Sequence, residues 1–377
     1  MIQDLAKTHE SMYKTAPSAL FFAPGRVNLI GEHTDYSGGF VFPAALDLGI
    51  YGAFSFREDA QKRIYSASFA DLGVVTLDPA LEKKASLGFA NYVQAVLWSL
   101  KEEGYALPKG FDITLMSTLP DGAGLSSSAA LEMLIGYMMN DVFALKLELT
   151  TLVRLAKKAE NEYMGVASGI MDQFAVGFGK EDHGLFLNTQ TLTFEHVPLH
   201  FENHTLILTN TNKKRALVDS AYNERFASVK DAGQGLAFAL GQTPQDVWEA
   251  HKVNLSPRTA LRGDHVVSEN ARTLAAVEAL KAQDYLTFGA LLVASHTSLK
   301  EAFEVSCEEL DYLVEEHLAL GALGARMTGA GFGGTMIALY AGDAPDFTEL
   351  KARYQARFGF ACAIYEASIA SGVTRLR

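Results

Sequence analysis

Residues 25–39 read GRVNLIGEHTDYSGG. A short apolar strand opens directly into a turn that carries Glu32, His33 and Asp35, with Arg26 at the strand's start. A turn needs Gly, Asn or Asp for backbone reasons. It does not need an arginine, a glutamate, a histidine and an aspartate crowded around it, so the stretch is expected to do chemistry as well as change direction.

Working outward, the chain has 377 residues, 49% of them hydrophobic. That exceeds the size at which a single core usually stops growing, and two domains are expected. The charge balance, 32 − 44 = −12, argues against nucleic acid as the main partner, because phosphate backbones demand a basic surface. A local basic pocket for a small anion remains compatible with it. The two cysteines, Cys307 and Cys362, exclude a disulfide framework and read as free thiols in a reducing compartment. The N-terminus, MIQDLAKTHESMYK, has no signal-like apolar run. No segment approaches 18 uninterrupted apolar residues, so no membrane span is expected. A soluble cytoplasmic protein is the expectation.

Residues 20–58 read as strands with tight turns. ANYVQAVLWSLKEEG reads as an amphipathic helix ending near Gly104. GFDITLMSTLP is a strand that runs into DGAGLSSSAALEMLIGYMMNDVFAL, apolar on most faces and so a buried helix. LTTLVRLAKKAENEYMG sets Leu152, Leu155, Ala156, Ala159 and Tyr163 at helical spacing. Strands return at 183–209, long helical patterns run from about 215 to 320, and MIALY and FACAIYEAS flank a charged helix at 347–357. The class is α+β, with domains at 1–195 and 196–377.

Two further loops carry glycine. In LPDGAGLSSSAALE, Gly122 and Gly124 let the main chain curl around an anion. Ser126, Ser127 and Ser128 fall at a helix N-terminus, where free N–H groups and the dipole favour phosphate. An ordinary serine cap after a turn explains the same residues. RMTGAGFGGTMIAL, residues 326–339, has four glycines within six residues before a strand. It reads either as a bulge or close packing, or as close approach to a ligand. Neither loop matches the usual P-loop or a dinucleotide fingerprint in its proper context.

Taken together, an Arg/Glu/His/Asp strand–turn, a Ser-rich helix N-terminus and a late GxGFGG loop, in that order, resemble the GHMP kinases. GRVNLIGEHTDYSGG resembles the galactokinase signature of that superfamily nearly residue for residue. SGIMDQF (168–174) resembles the catalytic-aspartate segment, and TNTNKKRALVDSAYNERF (209–226) the sugar-contacting segment of the second domain. The departures are Ser37, where Asn is usual, and Thr335, where many members carry Cys. Neither is expected to touch a residue assigned chemistry.

The resemblance implies a two-domain GHMP-kinase-like fold with the active site between the domains. It implies transfer of the γ-phosphoryl of ATP to the C1 hydroxyl of galactose, the first step of the Leloir pathway. A free sugar offers several hydroxyls, and carboxylates and an imidazole suit them. Glu32, His33, Thr34, Asp35 and Tyr222 are implied to bind it. Asp172 is the implied base or orienter of the hydroxyl, with Arg26 beside it to stabilise charge. Gly122, Ala123, Gly124, Leu125, Ser126, Ser127 and Ser128 are implied to hold ATP, and Ser128 with Glu160 to hold Mg²⁺. Phe89 and Tyr92 fall near the adenine or simply in a core helix. A cytoplasmic monomer is expected, with no nucleic-acid or membrane partner. The alternatives are a kinase for a related sugar, such as N-acetylgalactosamine or arabinose, or a non-catalytic galactose- and ATP-binding regulator.

Overall fold

The computed structural model describes residues 1–120, 122–213 and 218–377. Part of the 209–226 segment therefore lies outside the described residues, as does Asp121 beside the serine loop. Helix α1 (Ile2–Tyr13) leads into β1 (Ala19–Ile30), which is buried along its whole length. Its burial comes from cover on both sides, by helices of the first half and by two long helices of the second. The next elements are β2 (Phe40–Phe56), β3 (Lys62–Ser66), β4 (Val75–Thr76), α2 (Ala90–Glu102) and β5 (Phe111–Ser117). After them come α3 (Ser127–Val142), α4 (Leu149–Lys158), α5 (Met171–Phe178), β6 (His183–Asn188), β7 (Phe194–Pro198) and β8 (His204–Asn210).

The second half begins with α6 (Val218–Ala232), α7 (Gln245–Lys252), α8 (Pro257–Lys281), α9 (Tyr285–Glu301) and α10 (Glu308–Ala319). It closes with β9 (Gly324–Met327), β10 (Thr335–Ala341), α11 (Thr348–Phe358), β11 (Ala363–Glu366) and β12 (Thr374–Arg375). The first sheet runs β12-β1-β2-β5-β3-β4, with β6 on β2 and β7 on β6. All its pairs are antiparallel except β3 with β5. The second sheet, β11-β8-β10-β9, is wholly antiparallel. The α+β class read from the sequence is the observed one. The expected division at 195/196 falls inside β7, and the last strand returns to pair Phe21 with Arg375 in the first sheet.

Two features of this frame position the site. The register of β1 against β2 shifts between Pro24 and Arg26 and again between Asn28 and Ile30. Such bulges re-aim side chains near a strand's end. The helical run read at 149–163 does not stay α-helical: α4 passes into a π-helical turn at Ala159–Met164. Such turns are uncommon and recur at functional sites, and Glu160, the second residue of this one, is buried. The largest core cluster joins the two halves, with Phe21, Phe54 and Phe174 of the first sheet's surroundings beside Leu208 of β8 and Ile337 of β10.

Candidate active site

Asp172 stands in the first turn of α5 and meets Arg26 from β1. Arg26 Nε donates to one carboxylate oxygen at 2.8 Å and Nη2 to the other at 2.7 Å. Its Nη1 donates to the Gly124 carbonyl at 3.0 Å. The two-bond fork fixes both planes, and Arg26 is only 5% exposed. Ser126 adds a third bond to Asp172. The residue stands at the start of α3 with φ 60°, and its hydroxyl is not used to cap the helix. The cap reading of this serine is thereby replaced: the hydroxyl serves Asp172, and the Ser126 side chain does not cap α3.

These groups open on a cavity of about 430 Å³. Glu32, His33 and Asp35 reach it from the turn after β1, Tyr222 from α6, and Gly329 and Ala330 from the late glycine loop. His33 has φ 61°, a left-handed backbone uncommon without glycine. Its Nδ1 pairs with the Tyr36 hydroxyl at 2.9 Å, its ring lies 4.7 Å from that of Phe303, and among the described residues Nε2 has no hydrogen bond of regular geometry, with the Ala330 backbone its neighbour. Burial, with the nearby charge of His265, lowers its pKa to about 3, so the ring is neutral. A buried imidazole nitrogen without a regular hydrogen bond is uncommon, and here it belongs to a residue that lines the cavity. Burial and the charge of Asp172 push Asp35 up to about 6. Burial pushes Glu32 up to about 7 against the pull of Arg326, which pairs with its carboxylate. Gly169 leaves room for Asp35: a Cβ there would lie 1.7 Å from an Asp35 oxygen and displace that side chain.

Thr34 is not at the cavity. Its buried hydroxyl lies between the carbonyls of Gly31 and Phe40, at 2.9 and 2.7 Å, and holds the turn closed. Ala123 and Leu125 are also buried, with their carbonyls engaged by Thr335 Oγ1 at 2.7 Å and by the Arg26 amide at 3.1 Å. Gly122, Gly124 and the three serines do line the cavity. The two departures from the family pattern are not remote: Thr335 holds Ala123, and Ser37 Oγ donates to the Thr34 carbonyl at 2.8 Å. Both residues donate to backbone oxygens of residues assigned to the site, which corrects the expectation that they would touch none.

Glu160 accepts from Ser128 Oγ at 3.0 Å, Ser168 Oγ at 2.7 Å and Gln173 Nε2 at 2.8 Å. Burial pushes its pKa up. Gln173 also donates to buried Glu132 at 3.1 Å. Neither Glu132 nor Gln173 was singled out from the sequence: Glu132 lies in the helix read as buried, and Gln173 follows Asp172 in the segment quoted for that aspartate. A second cavity, about 500 Å³ and largely apolar, adjoins the first and shares Gly122, Ser127 and Ser128 with it. Phe89 and Tyr92 line it, and Phe69, missed in the sequence, stacks on Phe89 at 5.0 Å between ring centres. Among the late glycines, Gly329 has φ 83° and packs against the serine loop, where a Cβ would stand 3.1 Å from the Gly124 carbonyl. This contact is the close packing of one loop on another.

Comparison with known proteins agrees with this geometry. The model described as the galactokinase galactose-binding signature matches residues 7–56. The N-terminal and C-terminal GHMP kinase domain models match residues 91–180 and 276–356. The chain is 43% identical over 366 residues to the galactokinase of Lactococcus lactis subsp. lactis (strain IL1403), spanning 94% of this chain and 92% of that one. It is 45% identical over 369 residues to the galactokinase of Enterococcus faecalis (strain ATCC 700802 / V583), 95% of each.

The chain belongs to the galactokinase family.

Among solved structures, the galactokinase of Lactococcus lactis complexed with galactose superposes with a TM-score of 0.94 at 41% identity, over 100% of both chains. Methanococcus jannaschii mevalonate kinase shares the fold, with a TM-score of 0.67 at 19% identity over 93% of this chain and 98% of that one. The GHMP kinase fold of this galactokinase family member is therefore shared well beyond its sugar-binding relatives. Among the described residues, no helix is long and apolar enough to cross a membrane.

Proposed function

We propose that the protein transfers the γ-phosphoryl of ATP to the C1 hydroxyl of α-D-galactose, giving α-D-galactose 1-phosphate and ADP. One observation carries the assignment of roles: two cavities meet at the N-terminus of α3, and the Arg26–Asp172–Ser126 cluster faces the one lined by Glu32, His33 and Asp35. ATP would place adenine in the apolar cavity near Phe69 and Phe89. Its phosphates would lie along Gly122, Gly124 and Ser126–Ser128, against the first turn of α3. The γ-phosphoryl would then reach the sugar side.

In this reading Asp172 accepts the hydrogen bond of the C1 hydroxyl, orients it and takes its proton as the oxygen bonds to phosphorus. Arg26 keeps the carboxylate aimed and stabilises the transferring charge. Glu32, His33, Asp35 and Tyr222 receive the remaining hydroxyls. The Ser128 hydroxyl and Glu160 carboxylate, 3.0 Å apart beside the phosphate loop, are a hard-oxygen pair of the kind Mg²⁺ uses when it keeps waters and phosphate oxygens. Mg²⁺ held there would neutralise charge between the β- and γ-phosphates. Free Cys307 and Cys362 suit a reducing compartment, and we place the protein in the cytoplasm as a monomer of two lobes divided near residue 196.

The test is ADP release over a panel of free sugars. Galactose should exceed glucose strongly, because Asp35 is held on a turn and cannot follow the C4 hydroxyl from axial to equatorial. An unmatched buried acceptor costs about 1–3 kcal/mol. Equal kcat/KM values for the two sugars would overturn the assignment. Binding of both ligands with no ADP released would return the regulator reading, and preference for N-acetylgalactosamine or arabinose the related-sugar one.

A further inference from the structure

The sugar-side turn is held largely from the other half of the molecule. Glu269 of α8 is fully buried, yet its carboxylate accepts four hydrogen bonds. One oxygen takes the backbone N–H of Gly31 at 3.1 Å, that of Glu32 at 3.2 Å and Ser295 Oγ at 2.6 Å. The other takes Arg272 Nε at 2.7 Å. Burial alone would raise its pKa, but the charges of Arg272, His265 and Arg326 and the Ser295 bond bring it down to about 2. The carboxylate is thus an anion throughout the useful pH range.

Neighbouring side chains complete the grip. His265 Nε2 pairs with the Glu32 carbonyl at 3.0 Å. Arg326 donates to the Leu29 carbonyl at 3.0 Å and to the Glu32 carboxylate. Directly after this gripped dipeptide the chain takes the left-handed step at His33, following another at Gly31 with φ 94°. A short turn with two such steps has several alternative geometries, and each would move the groups at 32, 33 and 35. Two adjacent N–H groups converging on one buried oxygen select one of them.

We propose that Glu269 is a positioning residue for sugar recognition, holding the Gly31–Glu32 amides so that the Glu32, His33 and Asp35 side chains stand where they line the cavity. The proposal rests on the galactose reading of the site. It separates from a purely structural role because the ATP-side cavity is built from other segments, around residues 66–69, 88–92 and 115–131. Loss of the carboxylate orphans two buried amides, and its effect should fall on one substrate.

The experiment is steady-state kinetics of Glu269→Gln with both substrates varied, and galactose Kd by calorimetry. Gln keeps the shape but presents an NH₂ either to the two amides or to Arg272. The galactose KM and Kd should rise about tenfold or more, with KM for ATP and kcat within about threefold of the parent. Ser295→Ala removes one donor only, and should raise galactose KM by about two- to threefold without threatening the fold. Tyr340→Phe, which removes buried bonds to His317 at 2.8 and 3.2 Å and none of the contacts of Glu269, should change neither KM. Galactose KM unchanged in both Glu269→Gln and Ser295→Ala, or the two KM values rising together, overturns the proposal. If Glu269→Gln does not fold, the Ser295→Ala ratio decides. A parent that binds galactose but fails to phosphorylate it would sink the kinase reading alone, because the Kd shift still tests the turn.

Discussion

Replacing Asp172 with Asn is the sharpest test of the catalytic cluster, because the structure separates its effect on rate from its effect on stability. Asn has nearly the volume of Asp but cannot take a proton from the sugar hydroxyl. Loss of a positioned acid–base group lowers turnover by about 10²–10⁴, or about 3–5 kcal/mol of transition-state stabilisation. The amide NH₂ also faces one arm of a guanidinium that now donates to both Asp172 oxygens. Breaking a buried ion pair from one side costs about 3–5 kcal/mol when both groups are dry. Here the Asp172 side chain is 30% exposed towards the cavity, and Arg26 keeps the Gly124 carbonyl, so about 1–3 kcal/mol is the discounted figure. For a chain of this size that is a Tm loss of only about 1–4 °C, and the variant should remain folded at assay temperature. The assay pairs ADP release with galactose titration calorimetry and a melting curve. Turnover should fall by two or more orders of magnitude while galactose Kd changes by less than about tenfold. A rate within about tenfold of the parent refutes the role of Asp172. A rate loss fully matched by loss of galactose binding refutes the separation of roles on which it rests.

Replacing Glu160 with Ala should depress turnover far more than galactose affinity, and excess Mg²⁺ should restore part of the rate by mass action; an unchanged Mg²⁺ dependence would return Glu160 to a structural role. Galactose affinity should fall as pH drops through about 7 to 6. Burial holds the Glu32 and Asp35 pKa values raised, to about 7 and 6, and sugar hydroxyls donate to the ionised forms. Binding therefore lowers those pKa values and releases protons, and titration calorimetry in buffers of different ionisation enthalpy should detect the release near pH 6–7, with no pH dependence or proton uptake opposing the idea. Phe69→Ala should raise KM for ATP by about fivefold or more, on the scale of stacking a base against an aromatic ring, and leave KM for galactose unchanged; the reverse pattern would move adenine out of the apolar cavity.

The parts legible in the sequence were those carried by contiguous residues. The turn at 31–39, the serine loop and the MDQ segment each place their polar groups within a few positions of one another, so their order along the chain already outlines the site. Glu132 was hidden because a buried polar residue inside an apolar helix leaves no periodic signal, and the role of Gln173, quoted beside Asp172, appears only in its bonds to Glu132 and Glu160. Phe69 was hidden because it sits in a segment with no strong pattern. Thr34 was over-read: its neighbours face the cavity, and only the fold shows its hydroxyl held between two turn carbonyls.

By itself the sequence determined the α+β class, the order of the strands and helices around each loop, and the chemical character of the groups at each end of the reaction. Those depend on local composition and short-range spacing. The couplings between distant segments were decided only by the tertiary structure. These are the fork of Arg26 on Asp172, the transfer of Ser126 from helix cap to carboxylate partner, the bond of Ser128 to Glu160, and the hold of Glu269 on the Gly31–Glu32 amides. The partners in these contacts lie 146, 46 and 238 positions apart for Arg26–Asp172, Ser126–Asp172 and Gly31–Glu269. A hydrogen bond selects its partner by distance and angle in space, and buried donors and acceptors must be satisfied by whatever the packed chain brings near, which no local pattern along the sequence records.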